Sequence, residues 1–205
     1  MKDIFTEIYE RMAWQGVESV SGPGSSLEQT KELRVRLPEL FKRYEISTLL
    51  DIPCGDLNWM QFVDLSGVEY IGADIVDELI EKNKKKFKMP FICLDISTDP
   101  LPKVDLILCR DCLVHFSYLD VVSALGNIAH SGSKYLLTTT FPNRTKNVDI
   151  ETGQWHPYNL TKKPFNLPQP LFLLNEKCTQ GNGMYADKSL GLWCIKDIVC
   201  NSDFE

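Results

Sequence analysis

The chain has no excess of positive charge and no long apolar run. Of its 205 residues, 22 are Lys or Arg and 28 are Asp or Glu, which gives a net charge of −6. A nucleic-acid-binding domain usually carries the opposite charge, so we expect no nucleic-acid partner. No apolar stretch reaches the ~18 residues of a membrane-spanning helix, and the N-terminus lacks a signal-peptide core. These absences predict a cytoplasmic protein with no membrane partner.

Histidine is scarce, and the cysteines form no metal or disulfide pattern. There are three His and seven Cys, and Cys93, Cys109 and Cys194 lie inside apolar runs, where a reduced thiol packs as a small apolar side chain. An odd number of scattered cysteines favours a reducing compartment. Cys109 and Cys112 have C-x-x-C spacing, but no second pair or histidine cluster accompanies them. We therefore predict no metal site.

A chain of this length predicts one domain, spanning 1–205, with a substantial core. Residues 1–47 should form an N-terminal helical cover, with an amphipathic helix over 2–14 and a turn-rich loop after it. Ser25 and Ser26 each match a capping box, so a second helix should start there, and Pro38 should kink or split it. The pattern fixes no oligomeric state.

The middle of the chain, 48–140, alternates short apolar runs with helical patterns. This alternation is typical of a doubly wound, mostly parallel α/β sheet with helices on both faces. The predicted helices occupy 56–64, 76–87 and 117–129, and the predicted strands lie near 48–53, 69–74, 90–95, 104–109 and 134–140.

The rhythm breaks after residue 140. Residues 141–170 hold five of the eleven prolines together with Trp155 and Tyr158, and a long aromatic loop in a compact domain usually covers a binding site. We therefore predict a substrate loop over 141–170. Residues 171–205 should close the sheet with two strands, 171–175 and 191–197, which gives seven strands in total.

Three aspartates, Asp51, Asp74 and Asp95, end three of the apolar runs at intervals of 74−51=23 and 95−74=21 residues. Each interval fits one strand with its crossover helix. The carboxyl ends of parallel strands meet at one edge of the sheet, where open α/β sheets bind ligands. The sequence therefore predicts a nucleotide-type site at this edge.

The turn after the first strand distinguishes between nucleotides. A dinucleotide-binding turn carries G-x-G-x-x-G, which lets the backbone approach a pyrophosphate. The run here is Asp51-Ile52-Pro53-Cys54-Gly55-Asp56-Leu57, with one glycine and two acidic residues. Such a turn repels a pyrophosphate and suits a ligand that carries an ammonium and a sulfonium.

The run resembles the first motif of the class I S-adenosylmethionine-dependent methyltransferases, with Pro53 and Leu57 in place of two glycines. The chain is also similar to a bacterial subset marked by I-P-C-G-D, by an upstream S-G-P-G-S loop that includes Ser25, and by a downstream N-L…P-F-N-L-P segment. Some of those proteins are associated with surface glycans. The resemblance covers about 48–140 and implies the seven-stranded Rossmann-like fold of that family.

The resemblance also implies roles for particular residues. Asp74 would hold both ribose hydroxyls, and Asp95 would meet the adenine amino group. The segment from Leu108 to Phe116 would pass the methionine moiety and the transferable methyl. The full set of expected cofactor-binding residues is Trp14, Ser25, Asp51, Pro53, Cys54, Gly55, Asp74, Ile75, Asp95, Ile96, Cys109 and Arg110.

The sequence leaves the identity of the methyl acceptor open. The implied activity is methyl transfer to an oxygen, less readily a nitrogen, of a small molecule or a surface-glycan precursor. A hydroxyl acceptor needs a base, for which His115 and Asp111 are the candidates, whereas an anionic acceptor needs none. Two other classes stay open: a nicotinamide-dependent oxidoreductase, and an inactive cofactor-binding protein that serves a partner.

Overall fold

The computed structural model describes residues 1–14 and 16–201. The helices are α1 (Lys2–Glu10), α2 (Lys31–Arg43), α3 (Asp77–Lys86), α4 (Tyr118–His130) and α5 (Ile195–Asn201). The strands are β1 (Thr48–Asp51), β2 (Glu69–Asp74), β3 (Phe91–Cys93), β4 (Leu106–Cys109), β5 (Tyr135–Thr140), β6 (Phe172–Asn175) and β7 (Ser189–Cys194).

All seven strands belong to one sheet in the order β3-β2-β1-β4-β5-β7-β6. The first five strands pair in parallel, and β7 runs antiparallel to both of its neighbours. The predicted seven-stranded, mostly parallel sheet is therefore confirmed. β1 and β4 lie at its centre, so their carboxyl ends open onto the middle of one edge.

Each face of the sheet packs against its own layer of helices. Successive strand side chains alternate between the faces, so Leu49 packs with α2 whereas Leu50 packs with α4. This alternation explains why β4 is apolar at every position: both of its faces are buried. Among the described residues, no helix is long and apolar enough to cross a membrane.

The predicted helix over 56–64 is wrong, because that region contains only a short 3-10 helix, Met60–Phe62. Leu57 adopts a φ of 55°, which a right-handed helix cannot contain. Asp56 meanwhile accepts hydrogen bonds from the backbone N–H groups of Val20 and Asn58. Residues 56–58 therefore form a turn that hydrogen-bonds to the loop containing Val20.

Other element boundaries also differ from the prediction. The first helix, predicted over 2–14, ends at Glu10. The second helix starts at Lys31 rather than near Ser25 or Ser26, although Ser26 Oγ does accept a hydrogen bond from the Gln29 N–H. It runs through Pro38 as one helix, so the predicted split does not occur.

At the other end, the last strand stops at Cys194, which pairs with Tyr135 at the start of β5. The chain turns into α5 at Ile195, so the predicted strand over 191–197 is three residues too long at this end.

Candidate functional site

A cavity of about 650 Å³ lies at the carboxyl ends of β1, β2 and β4, within the ~300–1,000 Å³ common for small-molecule sites. The structure brings together most of the residues that the sequence singled out. Those that line the cavity are Trp14, Ser25, Asp51, Pro53, Cys54, Gly55, Asp74, Ile75, Ile96, Arg110, Asp111 and His115.

Two residues of the predicted set, Asp95 and Cys109, lie outside the cavity lining. Asp95 lies two residues beyond the end of β3, and its carboxylate accepts a hydrogen bond from the Ser97 N–H at 2.9 Å. That contact is ordinary turn chemistry. Cys109 is fully buried in the core. The cavity wall beside Asp95 is apolar and consists of Leu94 and Ile96.

Asp51 and Asp74 are the last residues of adjacent strands, and both carboxyl groups are buried. Burial raises the pKa of Asp51 to about 7, against the hydrogen bond that Tyr70 Oη donates at 2.7 Å, and nearby Asp74 raises it further. Burial likewise raises the pKa of Asp74 to about 6, although the N–H groups of Val76 and Gly55 stabilise its charge. Two carboxylates held in this way favour a cationic ligand.

Gly55 shapes the turn that carries these carboxylates. Its φ is 56°, and a Cβ at this position would lie 2.3 Å from Ser21 Oγ. Its N–H donates to Asp74 Oδ2 at 3.1 Å, and its carbonyl accepts from Asn83 Nδ2 at 2.7 Å. The glycine that remains from the expected motif is therefore the one that the geometry requires.

The loop before α2 closes over the same turn, a contact that the sequence did not reveal. Asp56 accepts hydrogen bonds from Ser19 Oγ at 2.9 Å and from the Val20 N–H at 3.0 Å. Asn58 Nδ2 donates to the carbonyl of Ser25 at 2.9 Å. Asp56 therefore binds this loop, and its carboxylate is occupied by the protein. No spacing rule relates positions 37 residues apart in this way.

α1 forms part of the wall, as the predicted N-terminal cover. Phe5, Ile8 and Tyr9 line the cavity. Ion pairing holds the helix in place: Lys2 Nζ lies 2.6 Å from Asp77 Oδ2 on α3. Lys82, also on α3, donates from Nζ to Tyr9 Oη on α1 at 2.8 Å.

His115 faces the cavity from the segment between β4 and α4, with its ring stacked on Trp14 at 4.1 Å between centroids. Its Nδ1 lies 2.8 Å from the carbonyl of Gln154. A carbonyl only accepts, so Nδ1 carries the proton and Nε2 keeps its lone pair. Burial lowers the pKa of His115, which favours this neutral form. Among the described residues, none hydrogen-bonds to Nε2.

Asp111 belongs to a compact group of four charged side chains, which also includes Arg110, Glu176 and Lys188. Arg110 Nη2 lies 2.8 Å from Glu176 Oε2, and Lys188 Nζ lies 2.5 Å from Asp111 Oδ2. Burial opposes ionisation of Asp111, but Arg110 and Lys188 outweigh it and hold its pKa well below the ordinary value. Asp111 is thus a weakly basic carboxylate, and the geometry favours His115 of the two candidate bases.

Three aromatic side chains form the wall beyond this charged group. Trp155 lies edge-on to Tyr185 at 4.9 Å and to Phe141 at 5.9 Å between ring centroids. Phe141 and Trp155 come from the predicted substrate loop, whereas Tyr185 comes from the segment before β7. Tyr158, expected to share this surface, is instead fully buried and donates its hydroxyl to the carbonyl of Phe116.

Among the described residues, no three His, Cys, Asp or Glu side chains come close enough to hold a metal ion. The residues that do converge at the β1 and β2 ends are acidic, apolar or uncharged polar, and this part of the lining contains no Lys or Arg side chain. Carboxylates can hold hydroxyl donors and cations, while Ile75 and Ile96 can cover a flat base. S-adenosylmethionine presents such groups, so the site fits it.

No family model and no curated protein matches the chain. Solved structures do share its fold. Magnesium protoporphyrin IX methyltransferase from Synechocystis PCC 6803, with bound SAH (S-adenosylhomocysteine), matches with a TM-score of 0.52 and 14% identity over 70% of this chain and 72% of the other.

Human N-acetylserotonin methyltransferase in complex with SAM (S-adenosylmethionine) matches with a TM-score of 0.56 and 17% identity. The match covers 78% of this chain and 50% of the human protein. At such identities the similarity establishes the fold, which is the Rossmann-like fold of these methyltransferases, and function must be argued from the site.

Proposed function

We propose that this chain is an S-adenosylmethionine-dependent methyltransferase that acts on an oxygen of a small molecule or a surface-glycan precursor. One observation carries the proposal: Asp51 and Asp74 end adjacent strands at one cavity of a methyltransferase fold, and His115 faces the same cavity with an Nε2 to which no described residue hydrogen-bonds. The carboxylates suit a cationic cofactor, and the histidine suits a hydroxyl acceptor.

When bound, S-adenosylmethionine supplies a methyl group on a sulfonium, which a nucleophile displaces in line. Asp74 would accept the two ribose hydroxyls in addition to the N–H groups of Gly55 and Val76, because each carboxylate oxygen has two lone pairs. Asp51, at the end of the adjacent strand, would offset the positive charge. Ile75, Leu94 and Ile96 would cover the adenine.

His115 serves as the general base. Its Nδ1–H is held by the Gln154 carbonyl, so Nε2 is the nitrogen that can take the proton of an acceptor hydroxyl. The predicted substrate loop, which contains Gln154, makes two further hydrogen bonds to the segment that carries His115. The Gly153 N–H donates to the His115 carbonyl, and the His156 N–H donates to the Val114 carbonyl, each at 2.8 Å. The predicted substrate loop therefore also orients the base.

Calorimetric titration tests the proposal first at the level of the cofactor. The protein should bind SAM and SAH and should not bind NAD, since the turn after β1 has one glycine and the Asp51 carboxylate beside it repels a pyrophosphate. Incubation with SAM and a panel of sugars and small hydroxylated metabolites should then produce SAH together with a methylated acceptor, both measured by mass spectrometry. NAD binding without SAH binding would refute the proposal. SAH binding with no turnover on any acceptor would favour an inactive, cofactor-binding protein.

A further inference from the structure

Part of the cavity lining, called here the acceptor compartment, consists of Trp155, Tyr185, Gln180, Asp111 and Lys188. Its upper wall is aromatic, with Trp155 and Tyr185 edge-on at 4.9 Å and Trp155 39% exposed. Its floor is polar. A methyl group added to Gly24 would lie 3.4 Å from Asp111 Oδ2 and 3.7 Å from both Gln180 Oε1 and Lys188 Nζ, so these three groups converge on one point.

The floor of the compartment is electrically balanced. Arg110 and Lys188 supply two positive charges, and Asp111 and Glu176 supply two negative charges, all within a continuous set of ion pairs. Both cations are used within the set: Arg110 pairs with Glu176 and Asp111, and Lys188 pairs with the same two carboxylates. No cation in this group is left over to bind an anionic ligand.

Exposure decides which charge a ligand meets. The side chains of Arg110, Glu176 and Lys188 are 4%, 1% and 7% exposed, whereas that of Asp111 is 24% exposed. The accessible face of this neutral group is therefore a carboxylate. Its complement is a hydrogen-bond donor such as a hydroxyl, while a phosphate or carboxylate would meet a like charge.

The Asp111 carboxylate is directed toward the acceptor side of the sheet. Besides Arg110, its partners are Thr139 on β5, whose Oγ1 lies 3.4 Å from Oδ1, and Lys188, the residue before β7, which binds Oδ2. Both strands lie on the opposite side of β4 from β1 and β2, which carry Asp51 and Asp74.

From this geometry we propose that the compartment selects an uncharged, hydroxyl-bearing ring and rejects its phosphorylated counterpart. The ring packs against the Trp155–Tyr185 pair, and a hydroxyl donates to Asp111, whose carboxylate Lys188 holds in place. This inference rests on the proposed function, because the compartment is an acceptor site only if the chain transfers a methyl group. It adds the charge of the acceptor and assigns Tyr185, Gln180 and Lys188, which lie outside the predicted substrate loop.

A matched pair of probes tests the charge preference: phenyl β-D-glucopyranoside and its 6-phosphate. The protein is labelled with 5-fluorotryptophan, and the Trp155 fluorine signal is assigned with Trp155→Phe. Titration of the SAH-loaded protein should shift this signal with the neutral probe. The phosphate should bind at least ~10-fold more weakly, because the one exposed charge of the balanced group is the Asp111 carboxylate. Buried Trp193, outside the cavity lining, supplies the control signal.

Asp111→Asn should reduce the discrimination by about tenfold, since it removes the exposed negative charge. Asp64→Asn, an exposed carboxylate outside this cavity, is the matched control and should leave the ratio unchanged. If Asp111→Asn fails to fold, the wild-type protein still decides the question, because an electrostatic preference must shrink as salt concentration rises.

Three results would overturn the inference: equal or tighter binding of the phosphate, no Trp155 shift with either probe up to its solubility limit, or a preference that neither salt nor Asp111→Asn reduces. The same titrations without SAH separate this inference from the proposed function. A protein that fails to bind SAH but keeps the charge preference loses the methyl-transfer proposal alone. A protein that binds SAH and shows no preference loses only this inference.

Discussion

Replacing Asp51 with Asn should make cofactor affinity much less dependent on pH. In the wild-type protein, burial raises the pKa of Asp51 to about 7 and that of Asp74 to about 6. If a cationic cofactor needs both carboxylates ionised, lowering the pH from about 7 to about 6 reduces the ionised fractions roughly fivefold and twofold, so SAM affinity should fall about tenfold. Asp51→Asn retains only the twofold contribution of Asp74.

The stability of the ligand-free protein gives an independent check with a defined sign. The pKa of Asp51 rises from 3.8 to about 7 on folding, so between these values the native state binds more protons than the unfolded state. The free energy of unfolding must then decrease as pH rises through this window, by about 4 kcal/mol for a shift of this size. Asp51→Asn should remove that part of the slope.

The assay is calorimetric titration with SAM at several pH values in two buffers of different ionisation enthalpy, together with urea unfolding at the same pH values. Wild type should release about half a proton on binding SAM near pH 7, and Asp51→Asn markedly less. Asp64→Asn, an exposed carboxylate, serves as the control. Equal proton release and equal pH slopes in wild type and Asp51→Asn would refute the assignment of a half-ionised, cofactor-facing Asp51.

Three further predictions concern the base, the turn and the aromatic wall. His115→Ala should lower turnover on a hydroxyl acceptor by ~10²–10⁴-fold and remove the acidic limb of the pH–rate profile, while SAH affinity stays within about threefold of wild type. His130→Ala is the control. Equal turnover in His115→Ala and wild type would reassign His115 to packing. Gly55→Ala should weaken SAH binding and cost at least ~1 kcal/mol of stability. Gly67 also has a positive φ, 79°, but has open space around it, so Gly67→Ala should lose stability only. The same loss of SAH binding in both variants would refute the special role of Gly55. Trp155→Ala should raise the acceptor KM about tenfold with SAM affinity within about twofold; the reverse pattern would place Trp155 at the cofactor.

The sheet was predictable because its strands are buried on both faces. Unbroken apolar runs such as Leu106 to Cys109 indicate buried strands in an alternating α/β pattern, and an aspartate at the end of β1 or β2 marks the carboxyl edge directly. The cofactor side of the cavity follows from those two facts. Asp95 shows the limit of the rule, because β3 ends two residues earlier and the carboxylate falls into a turn.

The acceptor side was not predictable in the same way. Lys188, Gln180 and Tyr185 reach the cavity from the segment between β6 and β7, and the ion pair of Lys188 with Asp111 joins positions 77 residues apart. A single buried lysine produces no periodic pattern in a sequence, so its position in the site could not be predicted. Tyr158 failed as a prediction for a related reason: an aromatic residue in a loop can face a ligand or the core, and here its hydroxyl finds the Phe116 carbonyl in the core.

The most direct test of the central claim is the affinity of Asp74→Ala for SAH, measured by calorimetry beside Asp64→Ala. Asp74 ends β2 with its carboxylate in the cavity wall, and the loss of charge-assisted bonds to two ribose hydroxyls should cost roughly 1.5–3 kcal/mol, which raises the Kd about 10- to 150-fold. Asp64→Ala should bind SAH like wild type. An unchanged Kd for Asp74→Ala, with the melting temperature intact, would contradict the assignment of this cavity to S-adenosylmethionine.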